Sequence, residues 1–175
     1  MPIAAAEDAA ARLNVDAAAL AKLQDLLAKT AVTYDVLVER CAPPEMLRLI
    51  RHRLSEFHLK LARMHLAAGN TREAIDSGEQ ASALQPGDCD TTLLHVSALL
   101  AGNDTAKALP ILVQASMVHS TDAATHALLA QVLLNIGRAS EAVASFRLAL
   151  DLLPEDEVLK AALANALAVA EVSRQ

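Results

Sequence analysis

A chain of 175 residues with a net charge of −6 and a pI near 5.4 fits one domain or one short array of repeats. Its acidity argues against a nucleic-acid partner, since a phosphate backbone demands a basic footprint. Hydrophobic residues make up 54% of the chain and aromatic ones only 2%, so the core must be aliphatic and alanine-lined, and a base-stacking surface is disfavoured.

The opening MPIAAAEDAAARL is alanine-rich and punctuated by charge. No charged leader precedes an apolar run there, and no stretch reaches the roughly 20 apolar residues a membrane span needs. The expectation is a cytoplasmic protein without a secretory signal. Residues 1–15 offer at most a short helix and a loose end, and Asp16 is placed to cap a helix starting at Ala17. That helix carries Leu20, Leu23, Leu27, Val32 and Leu37 and ends before Pro43 and Pro44. The second proline opens the next helix, where a first-turn N–H has no partner to lose.

From Glu45 to Ala68 no breaker interrupts the pattern, which predicts one helix over 45–68. Gly69-Asn70 ends it, Thr71–Leu84 forms the next, and Pro86-Gly87 is an exit turn. Asp88–Leu100 and Thr105–His119 make a second pair, and Asp122–Ile136 and Ala139–Leu153 a third. A last helix is expected over about 156–172, with Leu163, Ala164 and Leu167 in register with Leu129, Ala130 and Leu133.

These pairs repeat. A step of 34 takes Ala142 to Ala108 and Ala74, Ala149 to Ala115 and Ala81, and Ala130 to Val96 and Ala62. The same step takes Pro154 to Ser120 and Pro86, and sets Gly137 beside Gly102-Asn103 and on Gly69-Asn70. Recurrence at a fixed period is the mark of a repeat architecture. Period and pattern resemble the tetratricopeptide repeat family, whose helix pair has small residues at fixed positions, a turn glycine, an aromatic on its second helix and a proline at the exit. Residues 123–156 fit best, through Ala130, Gly137, Ala142, Phe146, Ala149 and Pro154. Residues 55–88 fit through Ala62, Gly69, Ala74, Ala81 and Pro86, with Gly78 in place of the aromatic. Residues 89–122 are more degenerate, with Val96, Ala108, Leu112, Ala115 and Ser120.

The resemblance implies an all-α fold: a right-handed superhelical solenoid of antiparallel helix pairs, about three repeats plus N-terminal helices and a C-terminal capping helix. The expected organisation is an N-terminal helical extension over 1–44, repeats over 45–156 and a capping helix over 157–175. Solenoid ends need a solvated outer face, and Lys160, Asn165 and Glu171 supply thin polarity beside Leu159, Leu163, Leu167 and Val169. Two readings of that helix stay open: a cap, or a surface continuing into a partner or a further domain.

Little in the sequence points to chemistry. His58 and His65 lie two helical turns apart, about 10 Å along the axis, too far to assume convergence on one metal ion. His52 and His58 point in different directions, and His58 and His126 share a repeat position that usually carries a bulky packing residue. Ser116, His119, Ser120 and Asp122 are close in sequence but end a helix and its turn, where neighbours do not share a face. Gly69, Gly102 and Gly137 each stand alone between helices, unlike a phosphate loop. Cys41 and Cys89 lack metal-ligand spacing. They are read as two thiols, with a disulfide between them left open. No enzyme, cofactor or metal is expected.

One basic run, RLIRHRLSEFHLKLAR, places Arg48, Arg51, Arg53, Lys60 and Arg63 on an amphipathic helix. It is read as a solvated face, with docking of an acidic peptide as the alternative. The resemblance further implies that first-helix positions line a concave groove: Leu59, Arg63 and Leu66; Leu93, Ser97 and Leu100; Ala127, Gln131, Leu134 and Asn135. The family's carboxylate-binding members use lysines and asparagines there, and this chain departs from them. A groove this apolar suits an amphipathic helix or extended hydrophobic segment, with Arg63, Gln131 and Asn135 orienting it. The main expectation is a non-catalytic module binding a protein or peptide, with no nucleic acid. The alternatives are a regulatory or substrate-presenting domain of a larger enzyme such as a transferase, followed by a downstream domain in the same chain, and a scaffold that forms homo-oligomers through its last helix.

Overall fold

The computed structural model describes residues 3–172, with side chains from residue 18 onward. Those residues form eight helices and, among them, no strand: α1 (Ile3–Glu39), α2 (Pro44–Ala67), α3 (Thr71–Leu84), α4 (Cys89–Ala101), α5 (Thr105–Val118), α6 (Ala123–Asn135), α7 (Ala139–Leu152) and α8 (Glu157–Val172). The fold is an all-α helical repeat of the solenoid class. It divides into two compact units, Met1–Ala98 and Leu99–Gln175.

In the first unit α1 packs on α2 and α2 on α3. The α1–α2 seam follows from spacing. Leu20, Leu23, Leu27, Thr30, Tyr34 and Leu37 alternate in steps of three and four, as do Leu47, Ile50, Leu54, Phe57, Leu61 and Met64. That 3.5-residue rhythm keeps one stripe of each helix against the other. Leu54 and Leu61 are buried, while every α1 member of the seam is only half-buried, because α2 alone covers it. The helix starts earlier than its sequence suggests. It runs unbroken from Ile3 through Asp16, so Asp16 does not mark its beginning. Residues 3–15 are mostly alanine and other good helix formers, and a mid-helix aspartate costs only a few tenths of a kcal/mol. The side chain of Asp16 lies outside the described residues.

Two carbonyls at the end of α3 and one before α4 are tied down by side chains. Ser55 Oγ donates to the Ala81 carbonyl at 3.1 Å and Arg51 Nη2 to the Leu84 carbonyl at 2.8 Å. The third tie is made by Thr91 Oγ1 to the Asp88 carbonyl at 3.0 Å, at the entry to α4.

The turn after each first helix is built alike. Gly69, Asn103 and Gly137 all have positive φ, and each is followed by a backbone N–H that reaches back five residues: Asn70 to His65, Asp104 to Leu99, Arg138 to Leu133. This is the left-handed closure that satisfies the last carbonyls of a helix. The three positions recur at a period of 34. The strained residue of the middle turn is therefore Asn103 and not Gly102, since asparagine tolerates this region nearly as glycine does. Cys41 closes α1 in the same way at φ 52, and neither it nor Cys89 is in a disulfide.

The first helices of the second and third repeats, and α8 in the same register, start on a different device. Asp88, Asp122 and Asp156, again 34 apart, accept from the free N–H groups of α4, α6 and α8: Thr91 at 3.0 Å, Thr125 at 2.8 Å, and Val158 and Leu159 at 2.8 and 3.1 Å. In the second unit α5 packs on α6, α6 on α7 and α7 on α8. Phe146, 2% exposed, sits at the centre of its core with Ala130, Val143, Ala149, Leu159 and Ala166. Alanine at 130 and 149 lets the helices approach closely around the single large ring.

Candidate functional site

The first-helix residues singled out by sequence lie on accessible stripes, and none is fully buried. On α2, Leu59 and Leu66 are half-buried and flank Arg63, which is exposed and has no ion pair among the described residues. Spacing of four and three puts all of them on one helical face. On α4, Leu93 and Ser97 are half-buried within the first unit, and Leu100 is half-buried in the second. Ser97 spends its hydroxyl on its own helix, donating to the Leu93 carbonyl at 2.8 Å, so it offers a lone pair but not a free donor.

On α6, Ala127 and Leu134 pack partly on the core, while Gln131 and Asn135 are exposed. Gln131 Nε2 donates to Asn135 Oδ1 at 3.2 Å, which holds the two amides side by side. The pair leaves one amide carbonyl and one amide NH2 free, the complement of a peptide bond. Each stripe is thus an apolar strip with one or two polar groups set into it.

The basic run on α2 is less cationic than it reads. Arg51 is committed to the Leu84 carbonyl, Arg53 pairs with Glu56 at 3.2 Å, and His52 meets Gln85 at 2.6 Å. Arg48, Lys60 and Arg63 remain exposed.

The residues weighed for catalysis have structural employment. Ser116 Oγ donates to the Val113 carbonyl at 2.8 Å, Asp122 caps α6, and the His126 ring meets the Ser120 carbonyl at 3.1 Å. His126 is buried, as a packing residue is. His58, at the same repeat position, behaves differently. Together with His65 it lines an open cleft of about 280 Å3 between α1, α2 and α3, across from Glu73 and Asp76. Seven-residue spacing had set the two rings too far apart to converge on an ion. They do share a face, and the flanking helices make that face a cleft. Among the described residues no group of three or more His, Cys, Asp or Glu side chains could hold a metal. No helix among them is long and apolar enough to cross a membrane.

With this geometry in hand, comparison with known proteins gives one answer. Residues 99–166 match the tetratricopeptide repeat family. The tetratricopeptide-repeat domain of Arabidopsis OM64 is 18% identical, with 67% of this chain and 98% of that one covered at a TM-score of 0.63. The first such domain of human RPAP3 is 14% identical, covering 69% and 94% at 0.64. The Yersinia enterocolitica type III secretion translocator chaperone SycD is 19% identical, covering 73% and 95% at 0.60. No curated protein matches the chain in sequence. Fold and match together define its class: a tetratricopeptide-like helical repeat, the general architecture of a protein–protein interaction module.

Proposed function

We propose that the chain is a non-catalytic, cytoplasmic interaction module whose first-helix stripes bind a segment of another protein, as an amphipathic helix or an extended apolar strand. The observation that carries this is the composition of the stripes. Half-buried Leu59, Leu66 and Leu134 supply apolar area worth about 25 cal/mol per Å2 once covered, and the exposed Arg63 and the Gln131–Asn135 pair supply direction and register. An interface built this way takes its affinity from buried area and its specificity from a few oriented polar groups. Side chains already half-ordered by packing lose less entropy on binding.

Capture from the source cell's lysate tests it. The intact chain is compared with an Arg63→Ala, Gln131→Ala, Asn135→Ala variant. All three positions are exposed, so the variant keeps its fold, as circular dichroism would check. A protein retained by the intact chain and lost, or weakened at least about tenfold, by the variant is the expected result. Equal retention by both would move recognition off the stripes.

A second reading, self-association through α8, has one specific observation behind it: Val158 and Val172 are 77% and 74% exposed on that helix. Light scattering against concentration, on the intact chain and a Val158→Ser, Val172→Ser variant, would show a concentration-dependent mass in the first and not in the second.

A further inference from the structure

The cleft between α1, α2 and α3 has a chemistry of its own. On α3, Glu73 and Asp76 face it one helical turn apart, and no lysine or arginine lines it. Both carboxylates are exposed, and neither has an ion pair among the described residues. Two like charges in a concave site with no local counter-charge focus a negative potential there.

The floor is laid by α2. His65 is only 6% exposed, and Nδ1 of both His58 and His65 is buried without a hydrogen-bond partner. Buried polar groups are nearly always partnered, so an unpartnered Nδ1 on each of two rings that line one cleft, two helical turns apart, points to a polar group that the cleft takes up. Burial holds the His58 pKa below its ordinary range, which keeps this ring neutral near pH 7 and spares an incoming cation a like charge. Leu61, between the two histidines, adds an apolar wall.

We infer that this cleft binds a primary ammonium or guanidinium group carried on a short apolar stem, either the end of a lysine or arginine side chain presented by a partner or a free diamine. The volume of about 280 Å3 holds a four-carbon stem and its head, given about 30 Å3 for each water-sized group. A bare metal ion suits it poorly, because no three ligating side chains among the described residues converge on a point. A cation bringing its own N–H donors needs no such convergence. The cleft is separate from the stripe of the proposed function: His58, Leu61 and His65 occupy one side of α2, and Arg63 projects from the other.

The test follows the ring resonances of all six histidines by NMR while the full chain is titrated with butylammonium chloride or 1,4-diaminobutane dihydrochloride, against sodium chloride at matched ionic strength. His58 and His65 are expected to shift saturably, and the other four to stay still. Glu73→Gln with Asp76→Asn, both at exposed positions, should weaken the binding about tenfold without disturbing the fold. Butylammonium binding as tightly as the diamine assigns the site to a partner's side chain. A diamine preference of tenfold or more assigns it to a free diamine. Shifts that only follow ionic strength, that spread over all six rings, or that survive the double variant unchanged overturn the assignment.

Discussion

At the scale of single residues, Gly78 explains the departure of the first repeat from the family's pattern. It occupies the repeat position of Leu112 and Phe146, which are 0% and 2% exposed. A Cβ added at 78 would lie 2.9 Å from His95 Cα, so the backbone of α4 fills the space that a side chain fills in the later repeats. Gly78→Ala gains up to about 1 kcal/mol of helix propensity and loses about 1–3 kcal/mol to overpacking against an immovable backbone. We expect a net loss of about 1 kcal/mol for alanine and about 3 kcal/mol for leucine, read from urea unfolding. Nothing in the sequence could have located His95, since the contact joins two helices across an exit turn. A second residue-scale prediction concerns pH. Burial lowers the pKa of His58, and of His95 against the smaller opposing pull of Glu79, from the ordinary 6.5. The unfolded chain therefore binds protons that the folded one refuses. The stability this represents is present above pH 6.5 and declines as pH falls from there through the folded-state values. Unfolding midpoints measured between pH 7.5 and 5 should fall, and the fall should be shallower in a His58→Gln, His95→Gln variant.

At the scale of helices, the caps carry the period more faithfully than the residues by which the repeat was first recognised. Alanines and prolines show it through a chain rich in alanine, with Ser120 standing where a proline is expected. The aspartates at 88, 122 and 156 and the left-handed residues at 69, 103 and 137 hold it without exception. Both sets were legible in the sequence. They were obscured because Gly102 draws the eye from Asn103, and because an aspartate before a helix is common enough to pass unremarked. Asp122→Ala should cost about 1–2 kcal/mol, since Asp122 also accepts from the Thr125 hydroxyl. The same period explains why α6 and α8 differ. Leu133 is 4% exposed and Ala130 0%, while their counterparts are open: Leu167 is 37% exposed and Ala164 is classed with the exposed residues. On α6 that face is covered; on α8 nothing among the described residues covers it. Leu133→Ala should therefore cost about 2–4 kcal/mol and Leu167→Ala about 0.5 kcal/mol, a contrast that parallel denaturant titrations would reveal.

At the scale of the whole molecule, the fold was legible and the recognition chemistry only partly so. Helix positions follow from breakers and periodicity, and seven of the eight helices lie within a residue or two of where glycine, proline and aspartate put them. The exception, α1, has no glycine or proline between Pro2 and Pro43, so Asp16 offers a false start inside it. The stripes on α2, α4 and α6 could be placed from the repeat register. The Gln131–Asn135 bond, the commitment of Arg51 to a backbone carbonyl and the histidine cleft could not, because each depends on side-chain conformation or on a helix distant in sequence. A repeat fold hosts many binding modes, so the central claim, recognition by the first-helix stripes, rests on where a partner touches. The most direct measurement is backbone amide chemical-shift mapping of the full chain with the segment captured from lysate. The account predicts the largest shifts around Leu59, Arg63 and Leu66 and around Gln131, Leu134 and Asn135. Shifts confined to α5, to the outer face of α7 or to α8, with those residues unmoved, would contradict it.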